Sequence, residues 1–190
     1  SGKIQRVVPE VGQRYVQRVL GLRLGTSDCL RIVYTPLHGV GRRRMEVVLS
    51  KAGYNDVWTV PEPAEPHPDF PTVHFPNPEE ENALDLAIEL ATRQQADVIL
   101  ANDPDADRLA VCIPVDGTWR QLSGNEVGVL LADALLANGR EPTTKRLVAT
   151  TIVSTPLLSE IADYYGVQCV ETLTGFKWIA NAAIEFEQKG

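Results

Sequence analysis

Apolar and polar residues follow two periods along this chain, one typical of helices and the other typical of strands. Apolar residues at every third or fourth position predict helices, and short apolar runs predict strands. The predicted helices are residues 8–24, 41–52, 79–95, 127–136, 154–165 and 176–186, and the predicted strands are residues 31–34, 57–60, 98–101, 109–113, 146–151 and 167–171. This alternation indicates an α/β protein in which helices flank the sheets.

Local signals support several boundaries. The apolar stripe of the first helix consists of Val8, Val11, Tyr15, Val19 and Leu22. Gly53 is a natural end for the second helix, and seven prolines in residues 61–78 predict an extended loop. Ser123 and Glu126 have the spacing of a helix capping box, which indicates that a fresh unit begins there.

An acidic segment separates the predicted strands 98–101 and 109–113. Asp103, Asp105 and Asp107 occupy alternate positions in it, and Arg108 follows directly. Unpaired carboxylates this close repel each other and raise one another's pKa. Their oxygens suit a hard divalent cation such as Mg²⁺ or Ca²⁺, and a guanidinium suits phosphate. The segment therefore predicts a metal site beside a phosphate.

Three alternatives fit this segment less well. An EF-hand needs Gly at loop position six and Glu at position twelve, where this chain has Arg108 and Pro114. A haloacid-dehalogenase-type phosphatase also places paired aspartates after a strand, but its motif has Thr or Val where Asp107 stands. The third alternative is an acidic turn capped by its own side chains, since Asp, Asn and Pro are common turn residues.

Composition narrows the class of protein. The chain has 190 residues, 44% of them hydrophobic, and a net charge of −7, which favours a soluble protein and argues against nucleic acid as a partner. The basic run Arg42–Arg44 is interpreted as a solvated helix face. Because no 18-residue apolar run or leader-like start occurs, we expect neither a membrane span nor secretion. Three widely separated cysteines indicate reduced thiols and a cytoplasmic location.

The acidic segment resembles the metal loop of the α-D-phosphohexomutase superfamily, which includes phosphoglucomutases and phosphomannomutases. Many members carry Asp-Gly-Asp-Gly-Asp-Arg there, and a branch of phosphoglucomutases and phosphopentomutases carries the Asp-Pro-Asp-Ala-Asp-Arg found here. Further segments that resemble the family, in the same order along the chain, are Tyr34–Gly41, Phe75–Glu79, Leu122–Glu126 and Thr174–Lys177. The resemblance covers essentially the whole chain.

The resemblance implies domain II of that family in residues 1–117 and a truncated domain III in residues 118–190, with the break near Asp116 and Gly117. The expected fold class is α/β, with two consecutive units of mixed sheet flanked by helices, the second incomplete. The family's phosphoserine signature, Ser-His-Asn-Pro, is absent from this sequence, as are its later sugar loop and domain IV. We therefore expect a piece of a longer enzyme that needs domains I and IV as partners and is inactive alone.

The implied reaction moves phosphate between the 1-position and the 6- or 5-position of a sugar through a phosphoserine enzyme. The implied ligands of Mg²⁺, or of Mn²⁺ in its place, are Asp103, Asp105 and Asp107. Arg108 would steady a phosphate, and Lys177 would act as general acid or base beside a sugar bound by Thr174 and Gly175. A sugar bisphosphate would be the intermediate and activator. Phosphoglucomutase is the favoured activity, with phosphomannomutase and phosphopentomutase as alternatives.

Several of these residues also have a purely structural interpretation. Lys177 opens a predicted helix, where the positive end of the helix dipole disfavours a cation unless an anion binds, but it could simply face solvent. Thr151 and Ser154 could line the sugar site or cap a helix. His38 lies in a tight turn and is predicted to form hydrogen bonds, with direct catalysis as the weaker alternative.

Other classes of protein remain open from the sequence. Gly39 and Gly41 precede a predicted helix, but Arg44 stands where a dinucleotide fingerprint needs its third glycine, so a nucleotide site is not expected. A divalent-metal-binding module without catalysis, or a metal-dependent phosphatase that hydrolyses sugar phosphates, would each account for the acidic segment.

Overall fold

The computed structural model describes residues 9–25, 29–139 and 141–189. The chain divides between Leu122 and Ser123 into two compact units. The first unit contains α1 (Pro9–Leu20), β1 (Ile32–Thr35), α2 (Arg42–Lys51), β2 (Val57–Thr59), α3 (Asp85–Gln94), β3 (Val98–Asn102), β4 (Leu109–Val115) and β5 (Thr118–Gln121). The second contains α4 (Gly124–Ala137), a 3₁₀ turn (Thr143–Lys145), β6 (Leu147–Thr151), α5 (Leu157–Tyr164), β7 (Gln168–Thr172) and α6 (Phe176–Lys189).

The first unit is built on a mixed sheet of five strands in the order β2-β1-β3-β4-β5. β1 is parallel to both of its neighbours, whereas the pairs β3–β4 and β4–β5 are antiparallel. In the second unit β6 and β7 form a two-stranded parallel sheet. The predicted α/β class, with helices and sheets in two consecutive units, is confirmed.

The path of the chain reverses at β1. The chain leaves β1 through α2 to reach β2 on one side, and it returns through α3 to β3 on the other side. Because such crossovers are right-handed, α2 and α3 cover opposite faces of the sheet. Ligands of α/β proteins commonly bind where the strand order reverses, outside the carboxyl ends of the strands. Here that position lies beyond Thr35 of β1 and Asn102 of β3.

A row of apolar side chains across the sheet supports these strands. The register aligns Val33 with Ile99 and Ile99 with Cys112, and each of the three is at most 2% exposed. They belong to one cluster with Ala87 and Leu90 of α3. Full burial of a Val or Ile side chain contributes roughly 1.5–3 kcal/mol, so this row is a main source of stability for the strands that hold the acidic loop.

The amino ends of β1 and β3 are joined by Arg31 and Asp97. The guanidinium donates from Nη2 to Asp97 Oδ1 at 2.7 Å and from Nε to Oδ2 at 3.2 Å. The Arg31 backbone N–H donates to Oδ2 at 2.8 Å, and the Asp97 N–H donates to the Arg31 carbonyl at 2.8 Å. These contacts set the register of β1 against β3 and hence bring their carboxyl ends to the same level.

In the second unit α5 and α6 pack against the β6–β7 sheet, and α4 packs against α5. The predicted capping box at the start of α4 is confirmed. Ser123 Oγ accepts from the Glu126 N–H at 3.3 Å, and Glu126 Oε2 accepts from the Ser123 N–H at 2.8 Å. Among the described residues, no helix has the length and hydropathy needed to cross a membrane.

Two predicted boundaries differ most from the structure, and smaller differences include the first helix, which ends at Leu20 rather than at residue 24. The third helix begins at Asp85 rather than at residue 79, because residues 77–84 form turns and Asn82 has a left-handed φ of 64°, which an α-helix does not contain. The predicted break near Asp116 and Gly117 is the turn of a hairpin. β5, which the sequence pattern missed because it is largely polar, follows that turn and pairs with β4.

The first helix is present, but its predicted apolar stripe is not its buried face. Val8 lies outside the described residues. Val11, Tyr15 and Leu22 are 48%, 59% and 67% exposed, and Val16, at 3%, is the buried residue of α1. Among the described elements, α1 packs mainly against α2, and one helix offers it a narrower contact surface than a sheet would.

Candidate metal centre

The acidic segment forms the loop of the β3–β4 hairpin. Asn102 pairs with Leu109 where the strands meet, and the loop occupies residues 103–108. The Ala106 N–H donates to the Asp103 carbonyl at 3.0 Å, and Ala106 has a left-handed φ of 60°. This tight turn brings the predicted ligands together. These are Asp103, Asp105 and Asp107. Each contributes one carboxylate oxygen, and the three oxygens lie within 4.8 Å of one another.

Asp103 is the buried member of the trio, with 2% of its surface exposed. Its Oδ1 accepts a hydrogen bond from the Arg108 backbone N–H at 3.1 Å, and its Oδ2 accepts one from Arg108 Nε at 2.8 Å. Burial opposes ionisation of this carboxyl, but the hydrogen bonds and the charge of Arg108 outweigh burial and lower the pKa of Asp103. Asp103 is therefore a carboxylate of fixed orientation.

Asp105 and Asp107 are exposed. Repulsion from Asp105, followed by burial and by the charge of Asp103, raises the pKa of Asp107. Arg108 acts in the opposite direction and does not cancel this repulsion. A cation between the carboxylates would remove the repulsion, because an opposite charge within a few ångströms favours the charged form of a carboxyl group.

The donor set fits magnesium. Mg²⁺ takes oxygen ligands at about 2.1 Å in octahedral geometry, so two oxygens on one ion lie at most about 4.2 Å apart. The separations of up to 4.8 Å in this loop need only a small inward movement, which the exposed Asp105 and Asp107 can make. The carboxylates would occupy part of an octahedron and leave positions for water or a phosphate oxygen.

Arg108 is predicted to steady a phosphate, and the structure shows what it contacts within the loop. Its Nε lies 2.8 Å from Asp103 Oδ2 and 3.6 Å from Asp107 Oδ1. The hydrogen bond to Asp103 is the main reason that the pKa of Arg108 is raised. The side chain is 54% exposed, and a guanidinium has four further N–H donors on its Nη atoms. Arg108 can therefore orient Asp103 and still present donors to an anion.

Two residues that sequence analysis did not single out as functional close the base of the loop. Asn102 Nδ2 donates to the Arg108 carbonyl at 2.6 Å, and Tyr34 Oη donates to Asn102 Oδ1 at 3.1 Å. Both are buried, and burial raises the pKa of Tyr34 to about 12. Asn102 stood directly before the acidic residues, but no local pattern links Tyr34 to it, because their contact spans 68 residues.

A shallow cavity adjoins the loop in the first unit. It has a volume of about 380 Å³. Its lining includes Tyr15 and Val19 of α1, Arg44 of α2, and Asp105.

Of the basic run, Arg43 and Arg44 are exposed as predicted, whereas Arg42 forms ion pairs with Glu46, at 2.8 Å, and with Glu65.

His38 is buried, with 4% exposed. Its Nε2 lies 2.9 Å from Thr72 Oγ1, and its Nδ1 lies 3.4 Å from the Glu65 carbonyl oxygen. The ring also makes edge contacts with His67 and Phe70. Both ring nitrogens thus have partners inside the protein, which agrees with the hydrogen-bonding role predicted for this histidine.

The predicted sugar-site residues lie in the second unit, where Thr174 and Gly175 connect β7 to α6 and Lys177 is the second residue of α6. Gly175 has a left-handed φ of 113°, and its carbonyl accepts from the Trp178 N–H at 3.0 Å in the first turn of α6. Thr174 and Lys177 are exposed. Lys177 Nζ lies 5.3 Å from the centre of the Trp178 ring, within the range of a cation–π contact.

The β6–α5 connection lies beside this segment. The Ile152 N–H donates to the Thr172 carbonyl at 3.0 Å, which joins the carboxyl ends of β6 and β7. Thr151 Oγ1 and Ser154 Oγ are 2.8 Å apart. The hydroxyl groups predicted either to line a site or to cap a helix therefore bond to each other at the edge that carries Thr174 and Gly175.

Comparison with known proteins identifies the family. Residues 13–116 match the alpha/beta/alpha domain II of phosphoglucomutase/phosphomannomutase, and residues 123–188 match its alpha/beta/alpha domain III. The chain therefore belongs to the phosphoglucomutase/phosphomannomutase family.

Individual relatives are longer than this chain. The "Probable phosphoribomutase" of Schizosaccharomyces pombe is 46% identical over 165 residues, which cover 85% of this chain and 28% of the relative. The "Probable phosphomannomutase" of Haemophilus influenzae is 44% identical over 177 residues, which cover 92% of this chain and 36% of the relative. The chain thus spans about a third of the length of these relatives.

A solved structure shares the fold. The crystal structure of a phosphoglucomutase/phosphomannomutase family protein from Burkholderia thailandensis matches 93% of this chain and 36% of its own, with a TM-score of 0.71 and 19% sequence identity.

Proposed function

We propose that this chain is part of a phosphosugar mutase, in which it holds the divalent metal ion and part of the sugar site. The observation that carries the proposal is the β3–β4 loop. Three aspartate oxygens converge there within 4.8 Å, at the sheet edge where ligands commonly bind. Membership of the family supports the type of reaction. The nucleophilic phosphoserine would belong to another domain of the longer enzyme.

The loop residues would have different tasks. Mg²⁺, when bound, would withdraw charge from the phosphate being transferred. Asp103 would hold the ion in a fixed position because Arg108 orients both of its oxygens. Asp105 and Asp107 would close on the ion from the exposed side. The Nη donors of Arg108 would bind phosphate oxygens through charge-assisted hydrogen bonds.

The second unit would contribute to the sugar site. The first backbone N–H groups of α6 are suited to anionic or hydroxyl oxygens, and Gly175 leaves the approach to them open. We propose that Thr174 and Gly175 contact the sugar phosphate. Lys177 would lie against the sugar and transfer the proton of the reacting hydroxyl.

The Asp-Pro-Asp-Ala-Asp-Arg loop resembles that of a branch of phosphoglucomutases and phosphopentomutases, and of the substrates of that branch we favour glucose 1-phosphate. A pentose phosphate is the second candidate, since the relative with 46% identity is named as a phosphoribomutase. Mannose 1-phosphate is a third, since the relative with 44% identity is named as a phosphomannomutase.

A coupled assay on the longer enzyme tests the proposal. Glucose, mannose and ribose 1-phosphates are compared in Mg²⁺ with a trace of the matching bisphosphate, and the Asp105→Asn variant is compared with the wild type. We expect isomerisation of one substrate and a loss of at least about tenfold in the variant. Activity of the variant near the wild-type level at limiting Mg²⁺ would remove the metal assignment.

The same assay separates the alternatives. Release of inorganic phosphate without isomerisation would indicate a phosphatase. Metal binding without turnover of any sugar phosphate, even in the longer enzyme, would indicate a metal-binding module.

A further inference from the structure

The turn between β1 and α2, residues 36–41, packs against the acidic loop and bonds to it. The Val40 N–H donates to the Pro104 carbonyl at 2.8 Å. Gly39 lies so close to Pro104 that a Cβ on it would be 2.3 Å from Pro104 Cα and 2.4 Å from its carbonyl oxygen. Real Cβ atoms do not approach a backbone this closely, so this contact requires glycine.

The turn itself is in an unfavourable backbone conformation. Leu37 and His38 have left-handed φ angles of 45° and 59°, which are costly for residues other than glycine. Surrounding contacts must therefore hold it. The His38 N–H donates to the Pro63 carbonyl at 2.9 Å, and the His38 carbonyl accepts from the His67 N–H at 3.2 Å.

The ring of His38 forms a further hydrogen bond that holds the same turn, in addition to the two backbone hydrogen bonds. Its Nε2 hydrogen bond with Thr72 Oγ1 is 2.9 Å long and connects the turn to the proline-rich segment that precedes α3. The ring and Leu37 are buried. The hydrogen-bond partners of the His38 ring are Glu65 and Thr72 rather than the aspartates, but the next residue, Gly39, touches Pro104, which stands between Asp103 and Asp105.

The other end of the turn meets the base of the loop. A Cβ on Gly41 would lie 2.7 Å from Tyr34 Oη and 3.1 Å from the Ala106 Cβ. Tyr34 in turn bonds to Asn102, which bonds to the Arg108 carbonyl. The turn therefore packs against Pro104 and Ala106 of the loop and against Tyr34 at its base.

We infer that the β1–α2 turn sets the conformation of the acidic loop, and that His38 and Gly39 are positioning residues for its three carboxylates. The inference rests on the proposed function, in which those carboxylates bind the metal ion. Any shift of Pro104 changes the distance between the oxygens of Asp103 and Asp105. Metal affinity should therefore depend on residues that never touch the ion, as it does for outer residues in other metal sites.

Two variants of the 190-residue chain test this. Gly39→Ala adds the Cβ that cannot fit, and Thr72→Val removes the partner of the His38 ring while keeping its shape. Matched controls are Gly128→Ala, where a Cβ meets nothing within 4 Å, and Thr72→Ser, which keeps the hydroxyl. NMR hydrogen exchange is measured at the amides of Ala106 and Arg108, and Mn²⁺ affinity is measured by electron paramagnetic resonance.

We expect amide exchange at Ala106 and Arg108 to rise by at least about tenfold in both test variants. Exchange at the Leu122 amide, which is bonded to Val111 across the sheet, should stay within about twofold of the wild type, because the global fold persists. The Mn²⁺ dissociation constant should rise by about tenfold. Neither control should change these values.

The outcomes separate this inference from the proposed function. Unchanged loop exchange and Mn²⁺ affinity in folded test variants would overturn the inference and leave the metal site standing. Altered loop exchange in a chain that binds no Mn²⁺ would support the positioning role and count against the metal. If Gly39→Ala fails to fold, the comparison of Thr72→Val with Thr72→Ser decides.

Discussion

Asp103 and Asp107 belong to one short loop, but their surroundings give them opposite electrostatic character. Asp103 is buried and bonded twice to Arg108, and its pKa is lowered. Asp107 is exposed, and repulsion from Asp105 raises its pKa. If Mg²⁺ binds here as proposed, Asp103 would provide a fixed position, and the exposed Asp107 could adapt to the regular geometry that this ion demands.

Asp103→Asn and Asp107→Asn should therefore separate stability from metal binding. Asp103→Asn removes the charge and turns an NH₂ group towards one of the two Arg108 donors. We expect the free energy of unfolding to fall by about 1–2 kcal/mol. Asp107→Asn should change it by less than about 0.5 kcal/mol. Both variants should weaken Mn²⁺ binding. Urea unfolding without metal measures the first difference, and equal stability of the two variants would contradict it.

The sequence identified the three aspartates and Arg108 because their spacing is a local pattern. It could not identify Tyr34 and Asn102 as the base of the loop, because their hydrogen bond joins residues far apart in the chain. The sequence predicted that His38 forms hydrogen bonds but not which ones, since its partners Glu65 and Thr72 belong to an irregular proline-rich segment. Long-range contacts of polar side chains leave no periodic signal.

At the scale of elements, the parallel pair β1–β3 decides where the loop and the β1–α2 turn meet. Its register begins at Arg31 and Asp97, which form a double hydrogen bond between guanidinium and carboxylate. The hydrogen bonds from the Arg31 side chain and backbone lower the pKa of Asp97 to about 2. This carboxylate therefore links strand alignment to pH.

The sign of the pH effect follows from the lowered pKa. A carboxyl group that ionises at about 2 when folded, and near 3.9 when unfolded, stabilises the fold above the unfolded value and loses that contribution as the pH falls to the folded value. Because Asp97 is 35% exposed, solvent screening reduces the contribution to about 1 kcal/mol. The stability difference between wild type and Asp97→Asn should shrink by most of that amount from pH 5 to pH 2. A constant difference in urea unfolding would contradict the assignment.

The β4–β5 hairpin shows how an element can be missed although its turn is visible in the sequence. Asp116 and Gly117 have left-handed φ angles of 49° and 80°, and Asp-Gly is a strong signal for a two-residue hairpin turn. Because β5 is largely polar, no apolar pattern revealed the strand, and a domain break was predicted there instead.

Helix α3 was predicted six residues too long at its start, because periodicity does not reveal the left-handed residue Asn82.

Gly117→Ala should lower the free energy of unfolding by about 1 kcal/mol, because alanine resists the left-handed conformation. Nothing lies within 4 Å of the position a Cβ would take, so the effect isolates backbone strain from packing. Gly128→Ala, in the middle of α4 and equally unobstructed, should be neutral or stabilising because alanine favours helix. Thermal unfolding of both variants provides the comparison, and equal shifts would show that strain at the hairpin is negligible.

At the scale of the whole molecule, the net negative charge gives any stabilisation by Mg²⁺ two possible explanations. The chain has a net charge of −7, so any salt could stabilise it by screening self-repulsion. A specific site stabilises the folded protein in another way, because the ion binds the folded loop and not the unfolded chain. The proposed ligands all come from one hairpin of the first unit, so one substitution should remove the specific effect.

Mg²⁺ at about one hundred times its dissociation constant should raise the free energy of unfolding of the first unit by about 2.7 kcal/mol. KCl at the same ionic strength should give a smaller rise. Asp105→Asn should respond equally to Mg²⁺ and KCl, because it lacks one proposed ligand while its net charge changes by only one unit from −7. Hydrogen exchange of the buried amides of β1 and β3 measures the effect in that unit. An equal Mg²⁺ response in wild type and variant would assign the stabilisation to screening and would leave the loop without a specific ion.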